Sequence, residues 1–440
     1  MPTARLRALW RDVYDSLWFF PAVFTIGAIA LATVLVRADA LLPESIDRRT
    51  LGWLFSGGAE GARGVLAAIA GSLITVTGVV FSVTIVALQL ASSQYTPRVL
   101  RTFMADRANQ LVLAVFIGTF VYSLVVMRTI YSAGEDYEQF VPAVATTAGV
   151  LLAILAIGCL IFYIHHAATS LQVDTILGNV TTATLHAIRS EYPDESRGPE
   201  AADEEADDAG ETADGAFPVT AKKSGYITAL DRDRLRDVAR GTGAVVRVAV
   251  RVGDFVFPGT ILAVLHGGRP SDDACDDIRD AFAAGAARTP HQDVLLGFVE
   301  LVDIGVKALS PGINDPHTAM SALNRLGETL LELGRRQRQT IHRSENGATV
   351  VLRLPGWEET VSLAFDQIAH YGAGDASLIA HLAETIGRVG SLLPESRRPA
   401  LRDRLARARL TARERLVADH DHVLVDRAVA EAEKLLERPS

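Results

Sequence analysis

Apolar residues are concentrated in the first 170 positions of this 440-residue chain, and charged residues become frequent after them. Four apolar runs fall in that first part, at residues 17–36, 65–90, 111–130 and 141–164. Each run is close to the length of about 20 residues that a helix needs to cross the hydrocarbon core of a bilayer. The pattern therefore predicts a domain of four transmembrane helices over residues 1–170.

The chain then passes through a charged segment. Residues 171–216 begin with the apolar spacing of an amphipathic helix and continue as DESRGPEAADEEADDAGETADGAF, in which ten acidic residues face a single arginine. A segment of that composition buries too little apolar surface to offset the cost of ordering its backbone. Residues 171–216 are therefore predicted to be an amphipathic helix followed by a disordered linker.

The rest of the chain predicts a soluble α+β domain. Short apolar runs bounded by the turn pairs Gly253-Asp254 and Pro258-Gly259 predict a small β-rich module over residues 217–268. Apolar residues at helical spacing predict a mainly helical domain over residues 269–440. The predicted fold class is an α-helical integral membrane protein with four transmembrane helices followed by a cytoplasmic α+β domain, a small β module plus a helical bundle.

The distribution of charge predicts the orientation. Lysine and arginine are enriched in cytoplasmic segments that flank membrane spans. Arginines precede the first run and separate the second from the third, whereas residues 131–140 carry three acidic residues and no basic one. Both termini are therefore expected in the cytoplasm, in a multi-pass membrane protein. The loop between the first two runs argues against this orientation, because it would lie outside and yet carries Arg37, Arg48, Arg49 and Arg63.

Composition narrows the function. The hydrophobic fraction is 49% and the mean hydropathy +0.21, as expected for a membrane protein. The net charge of −9 argues against binding to nucleic acid, which requires a basic surface. The two cysteines predict neither a disulfide framework nor a thiolate metal site. No phosphate loop, dinucleotide fingerprint, nucleophile elbow or HExxH motif is present. The chain is therefore expected to be non-enzymatic and to use no cofactor or metal.

Polar residues interrupt the second apolar run at helical spacing. In the stretch GSLITVTGVVFSVTIVALQLASSQYTPR, small and polar residues fall within a stripe of about 60° on a helix; they are Gly71, Thr75, Gly78, Ser82, Gln89 and Ser93. One interpretation is close packing inside the four-helix bundle, since such residues let membrane helices approach. The other is a water-filled path, with Thr75, Ser82, Gln89 and Ser93 as pore-lining candidates.

The most distinctive soluble segment is KALSPGINDPHTA, residues 307–319. Pro311-Gly312 suits the end of one helix, and Asp315 followed by Pro316 suits the start of the next. A structural role therefore explains most of the loop. The alternative is a ligand site formed by Asp303, Asn314, Asp315 and His317, although their spacing matches no known metal motif.

Two resemblances add to this interpretation. The run VRVGDFVFPGTILAVL is similar to the second half of biotinyl and lipoyl-type barrel-sandwich domains, but the lysine modified in those domains has no counterpart here. LQLASSQYTPRVLRTFMADRANQ and RTPHQDVLLGFVELVDIGVKALSPGINDPHTA resemble the signatures of the bacterial predicted membrane proteins called domain of unknown function 2254. That resemblance implies an N-terminal membrane domain and a soluble C-terminal part, and it transfers no active-site residues.

Two functions follow as expectations. The first is a homo-oligomer in the lipid bilayer whose second span lines a pore and whose cytoplasmic half controls access to it. The second, from a different class, is a membrane-anchored regulatory or scaffold protein whose cytoplasmic domain binds a small ligand or a partner of unknown identity.

Overall fold

The computed structural model of the chain describes residues 18–41, 57–94, 106–131, 140–170, 172–192, 216–267, 270–336, 341–343 and 349–438. These residues form two compact units, one built from the first four helices and the other from Val173 onward.

The described residues of the first unit form four helices: α1 (Phe19–Leu41), α2 (Ala59–Gln94), α3 (Arg107–Arg128) and α4 (Ala143–Ser170). Each one is long and apolar enough to cross a membrane, which confirms the four predicted spans. The helix ends differ from the predicted ends by at most six residues. Many apolar side chains on α1, α2 and α4 point outward, as expected for helices whose solvent is lipid.

Buried and half-buried charged side chains secure the ends of these helices. Asp39 is 2% exposed, and its carboxylate accepts hydrogen bonds from the backbone N–H groups of Val144 (3.0 Å) and Ala145 (2.9 Å) in the first turn of α4. Asp106 caps α3 and lies 2.5 Å from Nε2 of His166, near the end of α4. The first-turn N–H groups, which have no partner within the helix, are thus satisfied by carboxylates that also suit the helix dipole.

The second unit begins with α5 (Val173–Glu191), in the position predicted for the amphipathic helix. The acidic linker lies outside the described residues. The remaining helices are α6 (Arg232–Thr242), α7 (Asp272–Ala281), α8 (Val294–Ala308), α9 (Pro316–Gly334), α10 (Trp357–Tyr371), α11 (Ala376–Ser391), α12 (Arg398–Arg415) and α13 (Asp419–Glu437).

Where the structure describes the second unit, eight short strands form two sheets. They are β1 (Ala216–Thr220), β2 (Gly225–Leu230), β3 (Val245–Val248), β4 (Phe255–Val256), β5 (Ile261–His266), β6 (Phe282–Gly285), β7 (Ile341–Arg343) and β8 (Thr349–Val351). The larger sheet has the order β1-β5-β3-β8-β7, and the smaller one has the order β4-β2-β6. Both sheets therefore recruit strands from beyond the predicted module at residues 217–268. The pairing of β3 with β8 is parallel, and the other pairings are antiparallel.

Helices α5 and α8–α13 pack as a bundle beside this β module. Glycines mark the closest approaches: a Cβ on Gly305 of α8 would lie 3.0 Å from Ile368 of α10, and one on Gly387 of α11 would lie 2.7 Å from the backbone of Ala432 on α13. At the start of α12 the buried side chain of Arg398 donates to the carbonyl oxygens of Leu393 and Leu436. Its positive charge thus lies at helix C-termini, where the backbone dipole favours it.

One carboxylate joins the β module to the bundle. Asp293 is 3% exposed and caps α8, accepting a hydrogen bond from the N–H of Leu296 (3.0 Å). Both of its oxygens also receive the guanidinium of Arg288, at 2.6 and 2.7 Å. Gly253, in the turn before β4, has φ of 98°, and a Cβ there would lie 2.4 Å from Oδ2 of Asp293. The β turn therefore closes over the ion pair only because residue 253 has no side chain.

Two glycines allow a matched test of this contact. Gly259 has φ of 93° but no atom of the described residues within 4 Å of its Cβ position. Gly259→Ala is expected to lower the free energy of unfolding by roughly 1–2 kcal/mol, the cost of a positive φ for an L residue. Gly253→Ala should lower it by roughly 3 kcal/mol or more, because it also displaces a buried ion pair. Denaturant unfolding of both variants in detergent micelles measures the difference, and equal losses would contradict this account.

Candidate functional site

The polar stripe of α2 faces away from the other helices of its own unit. Thr75, Ser82 and Gln89 are all exposed, and a Cβ on Gly71 or Gly78 would meet no described atom within 4 Å. The opposite side of α2 is buried, with Val80 2% exposed. Within the described residues, the stripe is therefore not packed against the other three helices of the unit. Ser93 continues α2, and its side chain lies outside the described residues.

A second polar line on α2 provides the packing contact instead. Thr84 is buried, and its hydroxyl lies 2.8 Å from the hydroxyl of Tyr163 on α4. Tyr163 also donates to the carbonyl of Val80 at 3.2 Å. Thr77 is half-buried and donates to the carbonyl of Leu73. Thr84 thus links α2 to α4, whereas the hydroxyl of Thr77 is satisfied within its own helix.

The polar groups of the stripe differ in how many hydrogen-bond partners they need from outside their own helix. The hydroxyl of Thr75 donates to the carbonyl of Gly71 at 2.9 Å, so its hydrogen is satisfied within its own helix. The primary amide of Gln89 has two donor hydrogens and an acceptor oxygen, more than a helix backbone satisfies. Large apolar side chains, Phe81 and Val83, are exposed on either side of Ser82. The stripe is therefore a narrow polar strip between two apolar borders.

The loop at residues 307–319 has the structural role that its sequence suggests. Asp315 caps α9 by accepting from the N–H of Thr318 (3.1 Å) and from its hydroxyl (2.6 Å). The backbone N–H of Asp315 donates to the carbonyl of Ala308 at the end of α8 (2.9 Å). Asn314 has φ of 50°, a left-handed conformation that asparagine tolerates better than most residues. These contacts turn the chain from α8 into α9.

Among the described residues, the four ligand-loop candidates differ in burial and in their place in the fold. Asp303 is half-buried on α8, five residues before the helix ends, which corresponds to about 7 Å along the axis. Asn314 and His317 are exposed. Hydrogen bonds from Thr318 lower the pKa of Asp315 below its ordinary value, so this carboxylate is occupied as a cap. Within the described ranges, no three His, Cys, Asp or Glu side chains are grouped as a metal site would require.

A small cleft that sequence reasoning missed lies between the β module and the bundle. It encloses about 30 Å³, and its lining includes Glu191, Arg232, Arg251 and Arg353. Arg232 pairs with Glu191, whereas Nη1 of Arg251 lies 2.6 Å from Oε2 of Glu359. Burial raises the pKa of Glu191 despite the neighbouring guanidinium. The charged residues come from four separate segments, so no local motif could have revealed them.

Asp315 and His317 provide a test of the loop. Asp315→Ala should lower the free energy of unfolding by about 1 kcal/mol, because α9 loses its cap, and His317→Ala should change it by less than about 0.5 kcal/mol. Because the folded state lowers the pKa of Asp315, the stabilisation is complete above the ordinary carboxyl pKa of about 3.9 and is lost as the pH falls through the folded-state value. Unfolding of both variants at neutral and acidic pH checks this, and a larger effect of His317→Ala would contradict it.

The signature of the family described as predicted membrane protein, domain of unknown function 2254, matches residues 14–388. Uncharacterized proteins of Mycobacterium bovis and Mycobacterium tuberculosis are 30% identical to the chain over 443 residues, covering 99% of it and 83% of each relative. No solved structure matches the chain. With four helices able to cross a membrane and a match over most of its length, the chain belongs to the predicted membrane protein family of domain of unknown function 2254.

Proposed function

We propose that the protein is a non-enzymatic homo-oligomer of the bacterial inner membrane in which copies of α2 surround a pore. The observation that carries this proposal is the exposure of Thr75, Ser82 and Gln89 on the side of α2 opposite its buried face. Ser93 continues the same stripe by its spacing in sequence.

The outward side of α2 needs a cover that can accept both polar and apolar groups. An amide such as that of Gln89 is costly in hydrocarbon unless it is hydrogen-bonded, and the helices of the same chain leave it exposed. Small residues at Gly71 and Gly78 leave space for close approach by another helix or for water. A ring of copies supplies both: neighbouring chains cover Phe81 and Val83, and the stripe faces a shared axis.

The proposal includes an orientation. Both termini and the whole unit from Val173 onward lie in the cytoplasm, and residues 131–140 lie outside. The supporting feature is the excess of arginine in the segments assigned to the inner side, compared with the acidic character of residues 131–140. The cytoplasmic unit would then control access to the inner end of the axis.

The cleft between the β module and the bundle favours a second candidate function. Arg232, Arg251 and Arg353 line it together with a single glutamate, and its volume suits water or a very small anion unless the walls separate. A regulatory or scaffold protein anchored in the membrane would use such a cleft for a small acidic ligand. This function requires no oligomeric pore, so the size of the assembly in mild detergent separates the two candidates.

Single cysteines along α2 test the pore directly, after replacement of Cys159 and Cys275. We expect a small charged thiol reagent to modify cysteines at Ser82 and Gln89 in intact membranes, because water reaches both. Val80→Cys should be protected by the bundle, and Phe81→Cys and Val83→Cys by lipid or a neighbouring copy. In liposomes, Ser82→Leu should reduce ion flux, because an apolar constriction dewets a narrow path, whereas Phe81→Leu should leave the flux unchanged.

Other labelling patterns have distinct meanings. Modification of Gln89→Cys alone would limit the aqueous path to a vestibule at one end of α2. Protection of both stripe positions, together with a disulfide between copies at Gly78→Cys, would make the stripe a dry helix contact and exclude a pore along it. Protection of both positions in a monomeric protein would exclude the pore and favour the regulatory function.

Reporter fusions test the orientation. A reporter active only in the cytoplasm should be active after Ser440, and one active only outside should be active at Gly134, because the arginine distribution retains the first position and exports the second. The reverse pattern would mean that Arg37, Arg48, Arg49 and Arg63 determine the topology, and the unit from Val173 onward would then be external.

A further inference from the structure

The helical bundle exposes its large apolar side chains mostly at one end. Across the described residues from 270 to 438, seven such side chains are exposed: Ile313, Tyr371, Leu392, Leu410, Val417, Val423 and Leu424. Val417 is 94% exposed and Tyr371 62%. All except Leu392 lie toward the same end, as the arrangement of the helices shows.

Helix α5 defines that end. Thr184 lies against Gly297 near the start of α8, and Arg189 bonds to Glu332 near the end of α9. Helix α5 therefore runs antiparallel to α8. Val173 lies 11 residues before Thr184 on α5, and Ala308 lies 11 residues after Gly297 on α8. Each segment is about 16 Å long along its helix axis. The start of α5 is thus level with the loop that contains Ile313. We call this the tether end of the bundle.

The other exposed apolar residues lie at the tether end for the same geometric reason. Ile368 is beside Gly305, so Tyr371, three residues further along α10, is level with the end of α8. Helices α11 and α13 are parallel, because Gly387 meets Ala432 and Gly390 meets Leu436. Arg398, at the start of α12, contacts the end of α13, so the turn between α12 and α13 is at the opposite end. That turn carries Val417 at its centre.

Covalent connection limits how far the start of α5 can lie from the end of α4. Helix α4 has 28 residues, a length of about 42 Å, which matches a bilayer with its headgroups. It ends at Ser170, and α5 begins at Val173. Three peptide steps span at most about 11 Å. The start of α5 therefore cannot lie far from the headgroup layer in which α4 ends.

We propose that the tether end of the helical bundle is a lipid-binding surface, inserted at the headgroup level of the membrane through Ile313, Tyr371 and the α12–α13 turn. An apolar patch at an end that covalent geometry holds near a bilayer has lipid as its nearest apolar phase. Tyrosine suits that depth because its ring is apolar and its hydroxyl is polar. Arg415 is an exposed basic side chain next to the turn and can approach a lipid phosphate, whereas Arg413 is paired with Asp426 at 2.9 Å. This surface does not depend on the existence of a pore.

Depth-dependent quenching of a fluorophore tests the proposal on the full chain. Val417→Cys, in a background with Cys159 and Cys275 replaced, is labelled with a small environment-sensitive fluorophore and reconstituted into phosphatidylcholine vesicles. Lipids that carry a nitroxide near the headgroup should remove most of its emission. Leu392→Cys is the matched control, because Leu392 is 57% exposed at the opposite end of the same bundle. Its emission should be nearly unchanged by the nitroxide lipid.

Each other outcome overturns the proposal. Equal and weak quenching at both positions would mean that the tether end is in water. A blue-shifted but unquenched signal at Val417→Cys would mean that protein covers the surface, and dilution with unlabelled protein would then identify a second copy. The same measurement at Val423→Cys guards against a local effect of the substitution in the turn, since both sites should respond together.

Discussion

The second unit depends on one buried carboxylate. Asp293 caps α8, receives both arms of Arg288 and lies beneath the turn at Gly253, so it joins a helix, a connecting segment and a β turn. A buried carboxylate is stable only when its oxygens are hydrogen-bonded; here Arg288 and Leu296 supply the hydrogen bonds, and Gly253 leaves the space for the turn to close over them. Next to it, the amide of Gln292 bonds to both backbone groups of Leu230 on β2. The RTPHQD segment, residues 288–293, is therefore a joint between sheet and bundle.

In the first unit the polar side chains need hydrogen-bond partners within protein or water, because lipid offers none. There the polar groups of α2 separate into two classes by position on the helix. Thr84 faces inward and is shared with Tyr163, whereas Ser82 and Gln89 face outward beyond the chain's own helices. The same residue types thus have opposite environments within a few residues. Packing within the chain is already provided by the inward-facing Thr84. A function assigned to α2 therefore has to explain the outward-facing polar residues, Ser82 and Gln89.

Hydropathy and helix signals in the sequence were enough to predict part of the fold. The four membrane helices, α5 and the cap at Asp315 were predictable because each depends on residues that are neighbours in sequence. The limits of the β module were not, because β6 begins directly after α7, at Phe282, and β8 pairs with a strand far upstream. The cleft escaped prediction for the same reason: Glu191, Arg232 and Arg353 come together only through the tertiary fold. Periodicity placed the stripe on one side of α2, but it could not tell whether that side faces inward or outward.

The parallel pair of β3 and β8 has a consequence for how the chain acquires its structure. Val245 pairs with Thr349, and helices α7, α8 and α9 lie between them in sequence. Closing so long a loop is slow compared with forming hairpins or neighbouring helices. During synthesis the edge of β3 must therefore wait until the segment around residue 349 has left the ribosome. A fragment ending shortly after β5 would retain an uncovered strand edge, so the β module should be treated as an assembly of distant segments when shorter versions of the protein are designed.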